Sequence, residues 1–204
     1  MCVLALAACS QIPRPVRKIA LVAPFEGRQR QIGYDAFPAL RMAVREHIVA
    51  NANSALSPYQ ITFIAYNDNA DQTSAQQIAH NIVIDPDTLI VIGHLLPYTT
   101  RAAQPIYQQT ELPMIVLDDS PTDCAHGVFH FAASLEQLDQ VQPNIDAHYR
   151  DVSGGPPPGD GSARMYLATQ YALRAIDSAI QQDHQPTRAG IMRVLAQQAG
   201  CSQK

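Results

Sequence analysis

Short apolar runs alternate with helix-patterned segments along most of the chain, and this alternation constrains the fold more than any other feature. The first run, residues 19–23, is continuous and apolar, which is typical of a strand buried on both faces. Further runs predict strands at 59–66, 88–92, 113–117 and 127–131. Apolar strands separated by helices form a parallel sheet that helices cover on both faces. The sequence therefore predicts an α/β fold with a doubly wound, mostly parallel sheet.

Apolar residues at helical spacing predict the helices between these strands. The expected helices span residues 35–50, 71–83, 99–109, 139–150 and 161–182, and a last helix follows Thr187 as its N-cap and ends near residue 198. Pro38 is expected in the first turn of its helix, where proline is tolerated. The glycine- and proline-rich stretch 154–159 is predicted to be a loop.

Composition excludes several classes of protein. Hydrophobic residues make up 47% of the 204 residues, so a sizeable core is expected. The net charge is −4, only Lys18 and Lys204 are lysines, and no Lys/Arg-rich run exists, which argues against a nucleic-acid partner. No stretch of 18 apolar residues predicts a transmembrane helix, and four cysteines are too few for a disulfide scaffold.

The first residues resemble the end of a bacterial lipoprotein signal peptide, because Leu6-Ala7-Ala8-Cys9 fits a lipobox. We expect residues 1–9 to be a signal remnant with Cys9 as the lipidation site, and residues 10–16 to be an extended tether. The protein would then lie on the periplasmic or extracellular face, held to the membrane through the lipid anchor. The positively charged region expected of a signal peptide is absent, so the alternative is an unprocessed apolar tail.

No motif for catalysis or cofactor binding stands out. The chain has no Gly-x-Gly-x-x-Gly fingerprint, no Walker lysine and no Gly-x-Ser-x-Gly elbow. Cys124, His126 and His130 could be metal ligands, but they lie at and inside a strand without a second cysteine pair, so an incidental polar cluster is favoured. Asp118 and Asp119 are adjacent at a strand end and point to opposite faces, which argues against a catalytic pair. We expect no enzyme activity, no cofactor and no metal.

Between residues 18 and 120 the chain resembles a known family. The segments that carry the resemblance are Lys18–Pro24 with Gly27 and Gly33, Tyr66–Asn69, Val91–His94, Pro105–Tyr107 and Leu112–Ile115. In order and spacing they are similar to the first lobe of type I periplasmic solute-binding proteins, in the leucine/isoleucine/valine-binding branch that serves ABC importers. Four later segments resemble the part of the family in which the chain returns to that lobe: Gly127–Phe131, Pro143–Tyr149, Gly155–Pro158 and Tyr166–Ile180.

The resemblance implies a single periplasmic-binding-protein-like lobe, in which 17–120 and 127–204 are joined by residues 121–126 where family members have a second lobe. It implies an extracytoplasmic solute-binding lipoprotein with an amino-acid-type ligand and an ABC permease as partner. The alternative is a membrane-tethered interaction or sensor module that binds a protein partner. A homodimer or a separate second-lobe protein could complete the site.

Ligands of such sheets bind outside the carboxyl ends of the strands. At the family's ligand positions, Pro97 replaces a serine, with Thr99 and Thr100 following, while Asp118 and Ser120 take the places of a small residue and a hydroxyl residue. Because proline cannot donate a hydrogen bond and Asp118 adds negative charge, a cationic or polyhydroxylated ligand is favoured, or the loops no longer bind. The predicted ligand-binding residues are Phe25, Ile32, Asp68, Pro97, Tyr98, Thr99, Thr100, Asp118, Asp119 and Ser120.

Overall fold

Five parallel strands form one sheet in the order β2-β1-β3-β4-β5. The computed structural model describes residues 13–118, 127–155 and 157–201, so Cys9, the tether up to residue 12 and the connection 121–126 lie outside the described residues. The strands are β1 (Val16–Ala23), β2 (Gln60–Asn67), β3 (Thr88–Gly93), β4 (Met114–Val116) and β5 (Val128–His130). All four strand pairings are parallel, as the apolar runs predict.

Helices cover both faces of this sheet. They are α1 (Arg30–Ala50), α2 (Gln72–Val83), α3 (Pro97–Gln109), α4 (Leu135–Ser153), α5 (Ser162–Asp183) and α6 (Arg188–Gln198). α2 and α3 pack on one face, and α1, α4, α5 and α6 pack on the other. The predicted fold class, a doubly wound α/β sheet, is confirmed.

The larger core contains residues from both halves of the chain. Leu21 of β1 and Leu40 of α1 belong to the same buried cluster as Phe129 of β5 and Leu173 of α5. Every residue of β3 is buried, which explains why this strand is apolar without alternation. Residues on either side of 121–126 thus share one core.

The start of α1 differs from the prediction. A short 3₁₀ helix at Gly27–Gln29 leads directly into α1, so Pro38 is the ninth residue of the helix and its expected place in the first turn is wrong. Proline lacks an N–H, so the Tyr34 carbonyl has no helical partner. The Tyr149 hydroxyl lies 3.3 Å from the Tyr34 oxygen and 3.0 Å from the Asp35 oxygen. The Ser162 hydroxyl also donates to the Asp35 carbonyl, at 3.1 Å. Hydroxyl groups of α4 and α5 therefore supply hydrogen bonds to the α1 carbonyls next to the break that the proline makes in the helical ladder.

Two further observations concern a disulfide after the last helix and the length of the apolar helices. Cys201, which follows α6, is disulfide-bonded. None of the helices in the described ranges is long and apolar enough to cross a membrane.

His47 of α1 makes stability depend on pH. Its side chain is 9% exposed, and its Nε2 atom is buried without a hydrogen-bond partner. Burial lowers the pKa of His47 and Arg174 lowers it further, whereas Asp177 opposes the shift. Between the ordinary histidine pKa of ~6.5 and the lowered pKa of His47, the unfolded chain carries a proton at this residue and the folded chain does not. The neutral form therefore stabilises the fold at neutral pH, and acid removes that contribution.

We expect the free energy of unfolding to fall as the pH drops below about 6.5, with a slope of up to ~1.4 kcal/mol per pH unit from this group. His47→Leu should flatten that part of the profile and cost nothing at pH 7.5, because it also removes an unpaired buried polar atom. Urea unfolding between pH 5 and 8 measures both effects, with Ile48→Leu as the control on the same helix. An unchanged slope in His47→Leu would contradict the assignment.

Candidate ligand-binding site

The topology of the sheet places a crevice between the carboxyl ends of β1 and β3. These strands are neighbours, but α1 follows β1 onto one face and α3 follows β3 onto the other. Open α/β sheets bind ligands at such a point, because the two connecting loops diverge and leave a gap. The loops here are residues 24–29 after β1 and 94–96 after β3.

A cavity of about 450 Å³ opens at this edge of the sheet. Four parts of the chain line it: the start of α1, the segment after β3, the segment after β4, and the start of α5 with the residues just before it. Its wall is mainly apolar and carries side chains of both charges. The lining residues are Ile32, Asp35, Ala36, Leu95, Leu117, Asp160, Gly161, Arg164 and Met165.

Two glycines allow the backbone to approach closely around this cavity. A Cβ atom on Gly159 would lie 2.0 Å from Oδ2 of Asp35, so the loop before α5 can rest against that carboxylate only with glycine there. A Cβ atom on Gly33 would lie 2.4 Å from the Pro24 carbonyl oxygen. The Asp35 carboxylate is also held by Gln31, whose Nε2 donates to Oδ1 at 2.7 Å. The Asp35 carboxylate therefore lies against Gly159 on one side and Gln31 on the other.

Asp68, a predicted ligand residue, points into the protein. Its side chain is fully buried, and its Oδ2 atom lies 2.8 Å from Nδ1 of buried His94. Nε2 of His94 lies 3.2 Å from the Tyr107 hydroxyl, and burial raises the pKa of Tyr107. The Asp68 side chain therefore joins the loop after β2 to the loop after β3 and does not face the cavity, because its carboxylate satisfies a buried histidine.

The two predicted threonines also turn inward. The Thr99 hydroxyl donates to the Leu96 carbonyl at 3.0 Å, and the Thr100 hydroxyl lies 2.9 Å from both the His94 and Leu96 carbonyls. Both side chains are buried. They hold the start of α3 in place, and their predicted contact with a ligand stays a prediction.

The backbone at the start of α3 can still bind an anion. Pro97 is the first residue of the helix and is exposed, and it donates no hydrogen bond, as the sequence predicts. The next two amides, of Tyr98 and Thr99, lie in the first turn and have no helical partner. Such amides and the helix dipole favour a carboxylate. The start of α3 therefore offers two backbone amides without helical partners even without the serine.

The remaining predicted residues lie at the edge. Ile32 lines the cavity. Phe25 is half-buried, packs edge-on against Tyr34 with ring centroids 6.2 Å apart, and donates its N–H to Oδ1 of Asn67 at 2.8 Å. Asp118 is half-buried and hydrogen-bonds to Nδ1 of His130. Asp119 and Ser120 lie outside the described residues.

Sequence reasoning missed three charged residues of the cavity: Asp35, Asp160 and Arg164. Asp160 and Arg164 follow a loop far from β4 along the chain, and only the fold brings them to the edge. The glycine-rich stretch before α5 was the available signal, because close approach of the backbone requires glycine.

Within the described ranges, no group of three or more His, Cys, Asp or Glu side chains could hold a metal ion.

Comparisons with known proteins show what this chain is similar to. No family model matches the chain. The leucine-specific-binding protein of Salmonella typhimurium is 26% identical over 132 residues, which are 65% of this chain and 35% of that protein. The Leu/Ile/Val-binding protein of Escherichia coli is 30% identical over 98 residues, 48% of this chain and 26% of that protein. The chain therefore spans about a third of the length of these relatives or less.

Solved structures show the same fold. A crystal structure of a candidate branched-chain amino acid ABC transporter protein from Rhodospirillum rubrum superimposes with a TM-score of 0.65 at 12% identity, covering 89% of both chains. This chain resembles a single lobe of a type I periplasmic solute-binding protein. A candidate leucine/isoleucine/valine-binding protein from Rhodopirellula baltica gives a TM-score of 0.52 at 16% identity, covering 89% of this chain but 48% of that one. The partial coverage fits a single lobe of such a binding protein, and the relatives are named as solute-binding proteins.

Proposed function

We propose that this chain is a solute-binding lobe that takes a small amino-acid-type ligand at the carboxyl edge of its sheet, in the context of an ABC importer. The observation that carries the proposal is the cavity of about 450 Å³ at the point where the loops after β1 and β3 diverge. The relatives of the chain, which are leucine- and Leu/Ile/Val-binding proteins, support it. Cavities of ~300–1,000 Å³ suit small molecules.

The composition of the cavity supports a ligand of this class. Ile32, Leu95 and Leu117 provide an apolar wall, and Asp35 and Arg164 bring both signs of charge into the same cavity. An amino acid carries an ammonium group, a carboxylate and a side chain, so each part has a complementary surface. The first amides of α3 lie at the same edge and favour a carboxylate.

The proposed location is the periplasmic or extracellular face of a membrane. The disulfide at Cys201 supports this, because disulfides persist in oxidising compartments. Lipidation at Cys9 would anchor the chain, since a diacylglyceryl group supplies the two acyl chains that stable attachment needs. Fractionation of cells that express the wild type or Cys9→Ala tests the anchor, and equal solubility of the two would contradict it.

We expect weak binding by the isolated chain. One lobe covers a ligand from one side and leaves the other side in water, where an ion pair contributes only ~1 kcal/mol. Half of the contacts of a site worth about −8 kcal/mol would give roughly −4, which corresponds to a Kd of ~1 mM, within a range of about 0.1–10 mM. A thermal-shift screen of amino acids, polyamines and sugars, followed by calorimetry on a verified monomer, measures this affinity.

Paired variants locate the binding. Leu95→Trp fills the cavity and should abolish the calorimetric signal, whereas Ile84→Trp, an exposed apolar position on the opposite edge, should not change it. Asp118→Ala should weaken a cationic ligand and spare a neutral one. Binding that survives Leu95→Trp would contradict this site, and no response to any solute would favour the interaction module that binds a protein partner.

A further inference from the structure

β2 forms one border of the sheet. It pairs with β1 along one side, and no hydrogen bond within the described ranges reaches its other side. Such an edge presents unpaired N–H and C=O groups that can pair with another chain. The strand is eight residues long, which makes it one of the two longest in the sheet.

The hydrogen bonds at the two ends of β2 show which of its backbone groups face outward. The Gln60 N–H donates to the Pro15 carbonyl at 2.9 Å, and the Asp68 N–H donates to the Ala23 carbonyl at 3.1 Å. The register with β1 is constant between these ends. In a parallel ladder, alternate residues bond to the same neighbour. The even-numbered residues of β2 therefore bond to β1, and the N–H and C=O groups of Ile61, Phe63 and Ala65 point away from the sheet.

Nothing in the sequence of β2 discourages pairing. Native edge strands carry lysine, proline, bulges or inward-pointing charges that prevent association. β2 reads Gln-Ile-Thr-Phe-Ile-Ala-Tyr-Asn, with no charged residue, no proline and no glycine, and it pairs with β1 without a bulge. The Ala65 side chain is small and exposed, so it does not block an approaching strand.

We propose that β2 pairs in antiparallel orientation with β2 of a second copy of this chain, so that two five-stranded sheets become one. A two-fold axis at Phe63 places Phe63 opposite Phe63 of the partner subunit, and Ile61 opposite Ala65 of the partner subunit. Ile61, Phe63 and Ala65 of each chain then exchange both backbone hydrogen bonds with the partner subunit. Because the strand is uncharged, no like charges meet across the axis. Such a two-fold interface uses the same surface on both copies.

A second cavity extends the same contact. It measures about 830 Å³ and lies beside the start of β2, where Ile48, Ser57, Tyr59 and Gln60 contribute to its lining. In the proposed register, Tyr66 and Asn67 of the partner subunit lie opposite Gln60 and Tyr59, so the residues that follow Asn67 of the partner subunit reach this cavity. Ile48 is 46% exposed there and offers apolar area beyond the strand. The pairing leaves the carboxyl edge of the sheet open, so it is separate from the proposed ligand site.

The test is the oligomeric state of the full chain and of two variants at Ala65. Ala65→Pro removes an outward N–H without removing a bond to β1, and proline is tolerated on an edge strand in this orientation. Ala65→Thr keeps the N–H and is the matched control. Sedimentation velocity over about 1–500 µM should show a concentration-dependent dimer for the wild type and Ala65→Thr, and at least ~tenfold weaker association for Ala65→Pro. A wild-type monomer throughout, or an unchanged dimer in Ala65→Pro, would overturn the proposal.

Amide exchange of the wild type decides the case even if Ala65→Pro does not fold. The amides of Ile61, Phe63 and Ala65 should become protected as the protein concentration rises, because they gain partners only in the dimer. A dimer that forms without protecting these three amides uses another surface and would refute β2 pairing.

Discussion

Gly93→Ala is expected to lower the free energy of unfolding by about 3 kcal/mol or more. Gly93 ends β3 with φ of +118°, a conformation that residues with a side chain rarely adopt. A Cβ atom there would lie 2.2 Å from the Val22 carbonyl oxygen of β1, which belongs to the central strand pair and cannot move away cheaply. Both the backbone conformation and the contact oppose the substitution.

Gly154→Ala is the matched control, because Gly154 also has positive φ, +63°, but an added Cβ would meet nothing within 4 Å. That variant should lose only ~1 kcal/mol, the cost of the left-handed conformation alone. Thermal and urea unfolding of both variants measure the difference. A shift of the melting temperature in Gly93→Ala no larger than in Gly154→Ala would show that the crowding at Val22 is absent. For a chain of this size ~3 kcal/mol corresponds to roughly 6–12 °C.

Asp68→Ala is expected to cost about 2–4 kcal/mol, because it leaves a ring nitrogen of fully buried His94 without its partner. The Ala70 N–H, which donates to the other carboxylate oxygen at 3.1 Å, also loses its acceptor. Asp71→Ala is the control in the same loop. Asp71 is exposed and caps α2 by accepting the Ser74 N–H at 2.8 Å, so its removal should cost ~1 kcal/mol.

A double-mutant cycle with His94→Ala isolates the pair. Residues in direct contact couple by ~0.5–3 kcal/mol, and we expect the upper half of this range for two fully buried groups. A coupling energy near zero would mean that Asp68 and His94 contribute independently. Asp68 holds the loop after β2 against the loop after β3. Asp68→Ala should therefore also lower the affinity for a ligand at the carboxyl edge, although Asp68 does not contact that ligand.

The sheet could be predicted from the sequence because its buried strands are continuous apolar runs, which leave little choice of structure. The start of α6 was also predictable, since the Thr187 hydroxyl accepts the Gly190 N–H at 3.0 Å as an N-cap does. The start of α1 was not, because Pro38 lies inside the helix, where the distant Tyr149 and Ser162 hydroxyls donate to a backbone carbonyl beside the break. Local patterns carry no information about such partners.

The carboxyl edge of the sheet was predicted as the place of the candidate site, which stays a prediction, but the direction of the side chains there was not predicted. Asn69 and Ala70 both have φ of +53°, which turns the loop after β2 sharply, and an alanine gives no sequence signal for that conformation. Asp68 consequently points inward, towards buried His94. Asp160 and Arg164 reach the cavity through packing of α5 on α1, and such long-range contacts are not readable from spacing.

The run of β1 through the middle of the sheet has a practical consequence. Its eight residues separate Val16 from Ala23 by roughly 23 Å, so the chain enters the domain at one pole and the cavity of the candidate site opens at the other. A sensor surface, dye or lipid bilayer that is coupled to residues before 13 would lie at the amino-terminal ends of the strands. The cavity at the opposite edge would stay exposed to solution. Immobilisation through the amino-terminal segment is therefore the attachment that leaves solute access unhindered, and attachment through the loop before α5 would obstruct it.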